Sequence, residues 1–168
     1  MSQPTPVHQD AAQRQLRDAL GSFATGVTVI TTVTPEGRRV GLTANSFTSV
    51  SLDPPLVLWS LKKNSASLDV FRRATHFAIN VLTRQQEALC FRFASKVDGD
   101  RFDGVALEPS RFDLPLLADS LARFECSKHH EVEAGDHVMF LGRVEDFRKG
   151  QGDALIFSGG RILDTASA

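Results

Sequence analysis

The sequence predicts a mainly β fold, a closed antiparallel barrel with helices added at its periphery. Three observations lead there. Short β-branched and apolar runs recur at even spacing, most clearly over residues 27–33, 56–61, 76–82 and 137–147. Turn-forming residues separate them, as at Pro35-Glu36-Gly37, Asp53-Pro54-Pro55 and Gly159-Gly160. Only two or three stretches have a helical pattern, and they do not alternate strictly with strands, which disfavours a doubly wound parallel sheet.

Taken in order, residues 1–10 read as a disordered polar tail, followed by a single domain over 11–168. Residues 11–20 form a short helix with Leu16 and Leu20 on one face. The alternating, β-branched run at 27–33 is a strand, and a turn leads from it into a second strand near 40–45. The run at 56–61 is apolar on both faces and belongs deep in the sheet. Asn64-Ser65 caps a short helix through Arg72 or Arg73, and residues 76–82 return as a strand. Thr83 with Gln86 three residues later is a capping box that opens a helix over 84–94. After a polar loop over 95–104, the last third reads as strands at 121–133, 137–147 and 154–157.

Composition excludes several function classes. The 19 Lys+Arg balance 20 Asp+Glu, so neither a nucleic-acid-binding basic excess nor an acidic tail is present. The N-terminal residues lack the apolar core of a signal peptide, and no apolar run approaches the ~20 residues that span a membrane. A cytoplasmic protein is expected. Cys90 falls in a helical pattern and Cys126 in a strand; both are expected as buried, inert thiols. Most of the 12 Phe belong to apolar runs and read as core.

Familiar catalytic patterns are missing. No Gly-x-Gly-x-x-Gly follows a strand, and there is no phosphate loop, nucleophile elbow or His-Glu-x-x-His. His129 and His130 on a strand point to opposite faces, so no metal site is expected from them. Glu131 and Glu133 share a face and read as solvated. These absences favour a function in which a bound cofactor supplies the chemistry and the protein supplies a pocket.

Two segments can build such a pocket. In Gly41-Leu42-Thr43-Ala44-Asn45-Ser46-Phe47-Thr48-Ser49-Val50-Ser51-Leu52-Asp53-Pro54-Pro55, hydroxyl and amide side chains alternate with apolar ones, and only Phe47 is bulky. Small side chains let a flat ligand approach the backbone, and the polar groups can bond the edge of a heteroaromatic ring. Far downstream, Gly135-Asp136-His137 opens an apolar strand; Gly135 gives turn freedom, and Asp136 can orient the imidazole.

With Phe23-Ala24-Thr25-Gly26-Val27-Thr28-Val29-Ile30 before them, these segments stand in the order and spacing of the short-chain flavin reductases, which the chain resembles over residues 23–162. These are the reductase partners of two-component flavin monooxygenases. The resemblance implies a split β-barrel homodimer that binds FMN or FAD near the subunit interface. NADH or NADPH would reduce the flavin, and the reduced flavin would leave for a partner oxygenase.

It also assigns residues. Thr43, Ala44, Asn45, Ser46, Ser49, Val50 and Ser51 match the flavin-ring contact. Ser60, Leu61, Asn64, Ser65 and Ser67 match the segment running toward ribityl and phosphate. Phe93, Ala94, Ser95 and Lys96, with Arg101 after them, match a second flavin-contacting loop. His137 falls on the nicotinamide side, and Arg161 follows a C-terminal glycine, here with Ile162 where many relatives have an aromatic residue. A flavin phosphate carries roughly −1.5 to −2 charges, so it calls for short donors and a cation. Ser65 and Ser67 offer the donors at a helix start, and Lys96 or Arg101 the cation. Read alone, Ser65 serves equally well as a plain helix cap, and Lys96 as a solvated charge. Two other readings compete: a flavin-binding electron carrier on the same barrel without nicotinamide activity, and a pyridoxamine-phosphate oxidase on a related barrel, whose chemistry prefers a more basic pocket.

Overall fold

The β-branched run near the N-terminus forms β2 (Thr28–Val33), and alternation along it feeds two separate cores. Ile30 joins an inner cluster with Val40, Trp59, Phe71, Phe77 and Phe140. Its neighbour Val29 joins an outer cluster with Leu82, Cys90, Phe93 and Phe102. A computed structural model describes residues 6–95 and 99–164 of the chain.

Around β2 the elements run α1 (Pro6–Gly21), β1 (Thr25–Gly26), β3 (Arg39–Ala44), β4 (Thr48–Leu52), β5 (Pro55–Lys62), α2 (Leu68–Arg73) and β6 (His76–Val81). A 3-10 turn at Arg84–Gln86 leads into α3 (Glu87–Ala94). Then come β7 (Leu107–Glu108), β8 (Leu116–Leu117), β9 (Ala122–Ala134), β10 (His137–Lys149), β11 (Ile156–Ser158) and β12 (Arg161–Ile162). Seven strands make one antiparallel sheet in the order β3-β2-β6-β9-β10-β5-β4. It curls around the inner cluster, where Trp59 stacks on Phe140 at 4.8 Å between centroids and meets Phe71 edge-on at 4.9 Å.

The curled sheet comes back on itself without a ladder between β3 and β5 among the described residues. Among the described residues the Ser46 side chain bonds across the gap. The Ser46 hydroxyl accepts from the Ser60 backbone N–H at 2.9 Å and donates to the Ser60 carbonyl at 3.2 Å. This is a split antiparallel barrel, and the split creates the mouth of the site. A small sheet, β1-β11-β12, and α3 cover the outer cluster.

Several boundaries differ from the sequence expectation. The first helix starts at Pro6, so residues 6–10 of the expected tail are helical; residues 1–5 lie outside the described residues. Proline tolerates the first helical position because its missing N–H has no partner there anyway. The expected strands at 40–45 and 56–61 are β3 and β5, but a further strand, β4, lies between them and pairs with β5 through Ser49↔Val57 and Leu52↔Pro55. The helix expected from Asn64-Ser65 begins only at Leu68, with Ser67 at the cap position and no capping hydrogen bond. Ser65 instead shapes a turn, its hydroxyl accepting from the Ser67 N–H at 3.3 Å. The capping box at Thr83 is present, with the Gln86 side chain accepting from the Thr83 N–H at 3.1 Å.

Candidate functional site

The site begins with Gly41. A Cβ there would stand 2.8 Å from the Phe93 ring and 3.0 Å from Phe102, so only glycine lets α3 and the following loop close on β3. Phe93 and Phe102 meet edge-on at 4.9 Å above it. The Arg101 guanidinium then donates to the Gly41 carbonyl at 3.0 Å and to the Ser95 carbonyl at 2.8 Å. The Thr43 hydroxyl donates to the Cys90 carbonyl at 2.7 Å, and Thr28 donates to the Ala44 carbonyl at 2.7 Å. The end of β3 is thereby fixed against α3 and β2.

An open cavity of about 940 Å³ lies over this floor. Thr43, Ala44, Asn45 and Ser46 line one side, and Ser60 and Leu61 the other. Asn64, Ser65 and Ser67 form its rim, with Phe93, Ala94 and Arg101 beneath and His137 at the edge. The two sequence signals, far apart along the chain, therefore meet in one space.

His137 is brought there by the β9–β10 hairpin. Gly135 takes φ +59°, the left-handed region that favours glycine, and turns the chain in two residues. His137 Nδ1 lies 2.8 Å from the Asp136 carboxylate, which only accepts, so the imidazole donates through Nδ1 and leaves Nε2 free. That hydrogen bond, and the charge of His137, hold the Asp136 carboxyl below its ordinary range. The hairpin is tied to the segment that leads into the Asn64–Ser67 rim. The Lys63 N–H donates to the Asp136 carbonyl at 2.9 Å. Glu133 takes Lys63 at 2.9 Å and Arg72 at 2.8 Å, and these two cations lower its pKa. Arg72 also lies 3.5 Å from Glu131, so the face expected to be merely solvated is an ion-pair network. His129 and His130 are both exposed where β9 bulges opposite β10, a local break in the alternation assumed for them.

The structure does not bring every expected residue to the cavity. Ser49, Val50 and Ser51 sit on the edge strand β4, outside the lining. Ser95 ends α3, its hydroxyl donating to the Arg92 carbonyl at 3.2 Å and its carbonyl held by Arg101. Lys96 lies outside the described residues. Arg161 lines a neighbouring, more apolar cleft of about 500 Å³ with Phe91, Phe157 and Ile162, which shares Thr43, Ala44, Asn45 and Ala94 with the larger cavity. Lys62 lines the cavity but was not expected there. The strand period of two from Ser60 would have placed it on the same face.

Cys90 and Cys126 are both buried. Burial raises the Cys90 pKa and pushes Cys126 to about 12. Among the described residues no group of three or more His, Cys, Asp and Glu is arranged to hold a metal ion. No described helix is long and apolar enough to cross a membrane.

Comparison with known proteins places this geometry. The flavin reductase like domain model matches residues 20–166. An FMN reductase (NADH) of Agrobacterium fabrum, SmoA, is 49% identical over 147 residues, covering 88% of this chain and 83% of that protein. The reductase component of the flavin-dependent trigonelline monooxygenase of Acinetobacter baylyi is 47% identical over 134 residues, 80% of this chain but only 43% of that protein. The chain thus spans less than half the length of that relative. The NADH:FAD oxidoreductase SgcE6 of Streptomyces globisporus, solved with NAD and FAD fragments, superposes with a TM-score of 0.87 at 37% identity, covering 99% of this chain and 98% of that one. With a matching family model over most of its length and relatives at this identity, the chain belongs to the flavin reductase like family.

Proposed function

We propose that the chain is an NADH-dependent flavin reductase that binds FMN or FAD in the cavity between β3 and β5 and supplies reduced flavin to a partner monooxygenase. The observation that carries this reading is the convergence of the Thr43–Ser46 and Asn64–Ser67 segments, Arg101 and His137 on one cavity, in a member of this family. The residues present fit a flavin. Ala44, Ser46 and Ser60 are small enough to let a flat ring approach the backbone, Ser65 and Ser67 are short donors, and Arg101 is a fixed cation.

When bound, the flavin accepts a hydride from the nicotinamide; the protein supplies position and surroundings. Asp136 holds the His137 ring through Nδ1, so Nε2 can contact the nicotinamide at the rim. Arg101 balances the flavin phosphate while fixing the cavity floor through Gly41 and Ser95. No side chain has to move a proton for hydride transfer, and among the described residues no carboxylate lines the cavity.

The reading includes a homodimer in the cytoplasm. Leu16, Leu20, Phe23 and Leu52 are 60%, 67%, 78% and 94% exposed, apolar side chains of the kind that a two-fold partner would cover. Anaerobic mixing with FMN and FAD, each with NADH and with NADPH, tests the proposal. Loss of the flavin's visible absorbance with NADH supports it. Tight flavin binding without bleaching by either nicotinamide would leave an electron carrier.

A further inference from the structure

A second cleft, of about 670 Å³, opens off the cavity at its phosphate end. Ala66, Ser67 and Arg101 line both spaces, whereas His137 lines only the larger one. The new wall is the β2–β3 turn, which presents Arg38 and Arg39, and across from it stand Gly99 and Asp100. Both arginines are exposed, and neither makes an ion pair among the described residues. A hydrogen bond from the Thr34 hydroxyl lowers the Glu36 carboxyl's pKa, and Arg38 nearby adds a smaller share. Asp100 is occupied locally, accepting from the Phe102 N–H at 2.9 Å. Among the described residues the cleft therefore carries a surplus of guanidinium groups, just beyond the place where a flavin phosphate would lie.

Guanidinium forks match phosphate oxygens, and a cleft of this volume suits a nucleotide-sized ligand. We infer that this cleft receives the adenosine-monophosphate half of FAD, with Arg38 and Arg39 on that second phosphate. The inference rests on the flavin reading above and names what that reading leaves open, namely the residues that separate FAD from FMN. NADH carries the same adenosine-monophosphate group. FAD is favoured as the source because the cleft continues from the Ser67–Arg101 end and not from the His137 edge.

The test is a titration of the full chain with riboflavin, FMN and FAD, followed by flavin fluorescence, for the unaltered protein and for Arg38→Glu/Arg39→Glu. Two exposed contacts reversed in sign should weaken FAD about tenfold and leave FMN within about twofold. Added salt should weaken FAD more than FMN in the unaltered chain, and the variant should lose that difference. Arg38→Gln/Arg39→Gln should fall between the two, and a thermal melt of each variant checks folding. Equal losses for FMN and FAD, or none for either, would overturn the inference. So would a rise in the NADH KM, with riboflavin as acceptor, while the FAD-to-FMN ratio stays constant; the cleft would then serve the nicotinamide dinucleotide. Absence of binding of all three flavins to the unaltered chain would remove the flavin reading itself and this inference with it.

Discussion

Arg101 reaches the Gly41 carbonyl across 3.0 Å, so the cation we propose for the flavin phosphate is also the clamp that joins the loop after α3 to β3. Two of its five N–H donors are used in this way, on Gly41 and Ser95. A role as pure counter-charge predicts that Arg101→Ala weakens FMN and spares riboflavin. The clamp predicts more. Arg101→Ala should weaken FMN by roughly 10- to 100-fold and riboflavin by a smaller but measurable factor, because charge-assisted bonds that shape the floor are lost. Arg101→Lys keeps the charge without the fork and should sit between them. Unchanged riboflavin affinity in Arg101→Ala would show that the clamp does not shape the ring site.

Gly41→Ala is the complementary change. Its Cβ would meet Phe93 at 2.8 and 2.9 Å and Phe102 at 3.0 Å, and both rings are buried. Overpacking of this kind costs about 1–3 kcal/mol, so the melting temperature should fall by several degrees. Phe93 lines the cavity, so flavin affinity should fall as well. A variant with unaltered melting and unaltered flavin binding would mean that the rings yield freely.

Much of this arrangement could be read from residue patterns, and the failures have physical causes. Strand β2 and the helix after Thr83 were legible because β-branched alternation and a capping box are local signals. Strand β4 was not, because its exposed Thr48, Ser49 and Val50 offer no buried face to set a period. Ser49, Val50 and Ser51, close to true lining residues in sequence, stay outside the cavity because they belong to this edge strand. Ser65 resembles a helix cap in sequence, but its hydroxyl is held in a turn that starts the helix later, at Leu68. The clamp of Arg101 on Gly41 joins residues on different elements and leaves no periodic trace. Nor does the cleft at Arg38 and Arg39, which exists only once the β2–β3 turn faces the loop after α3.

Away from the site, Arg123 is nearly fully buried and lies 2.5 Å from Glu108. Its hydrogen bond holds the Glu108 carboxyl below the ordinary 4.5. A lowered carboxylate pKa adds stability that is complete above the unfolded value and lost as pH falls through the folded one. The pair should therefore weaken only below about pH 4.5. Glu108→Gln leaves the arginine uncompensated. Because Glu108 is partly exposed, the cost should be about 2–3 kcal/mol, less than for a fully buried pair. Urea unfolding at pH 7 checks the cost; a loss under about 0.5 kcal/mol would mean that the Leu117 carbonyl, 3.5 Å from Arg123, suffices.

The Cys126 thiol, pushed by burial from 9.0 to about 12, should resist alkylation in the native protein. A raised thiol pKa also favours the folded state only while the unfolded thiol stays protonated. Stability should fall as pH rises from about 9 toward 12, by up to roughly 1.4 kcal/mol per pH unit from this group. Cys126→Ala should flatten that slope, with the urea midpoint followed between pH 8 and pH 11 as the measurement. Rapid labelling of native protein at pH 8 by iodoacetamide would contradict the burial.

His137 gives the sharpest separation of the two ligands. Its Nδ1 is held by Asp136, which leaves Nε2 as the ring nitrogen without a partner among the described residues, and His137 lines the cavity but not the Arg38–Arg39 cleft. His137→Ala removes one polar contact, roughly 1–3 kcal/mol, and it should act on the nicotinamide alone. The NADH KM should rise, or hydride transfer slow, by about 5- to 150-fold, while FMN affinity stays within about twofold. Asp136→Ala should give a smaller loss of the same kind, because the imidazole remains but turns freely. Stopped-flow reduction of bound FMN by NADH, with an FMN titration on the same preparations, reads both quantities. If His137→Ala weakens FMN as much as it slows reduction, the imidazole supports the cavity as a whole. If neither changes, His137 is an edge residue held by Asp136 for the hairpin's sake.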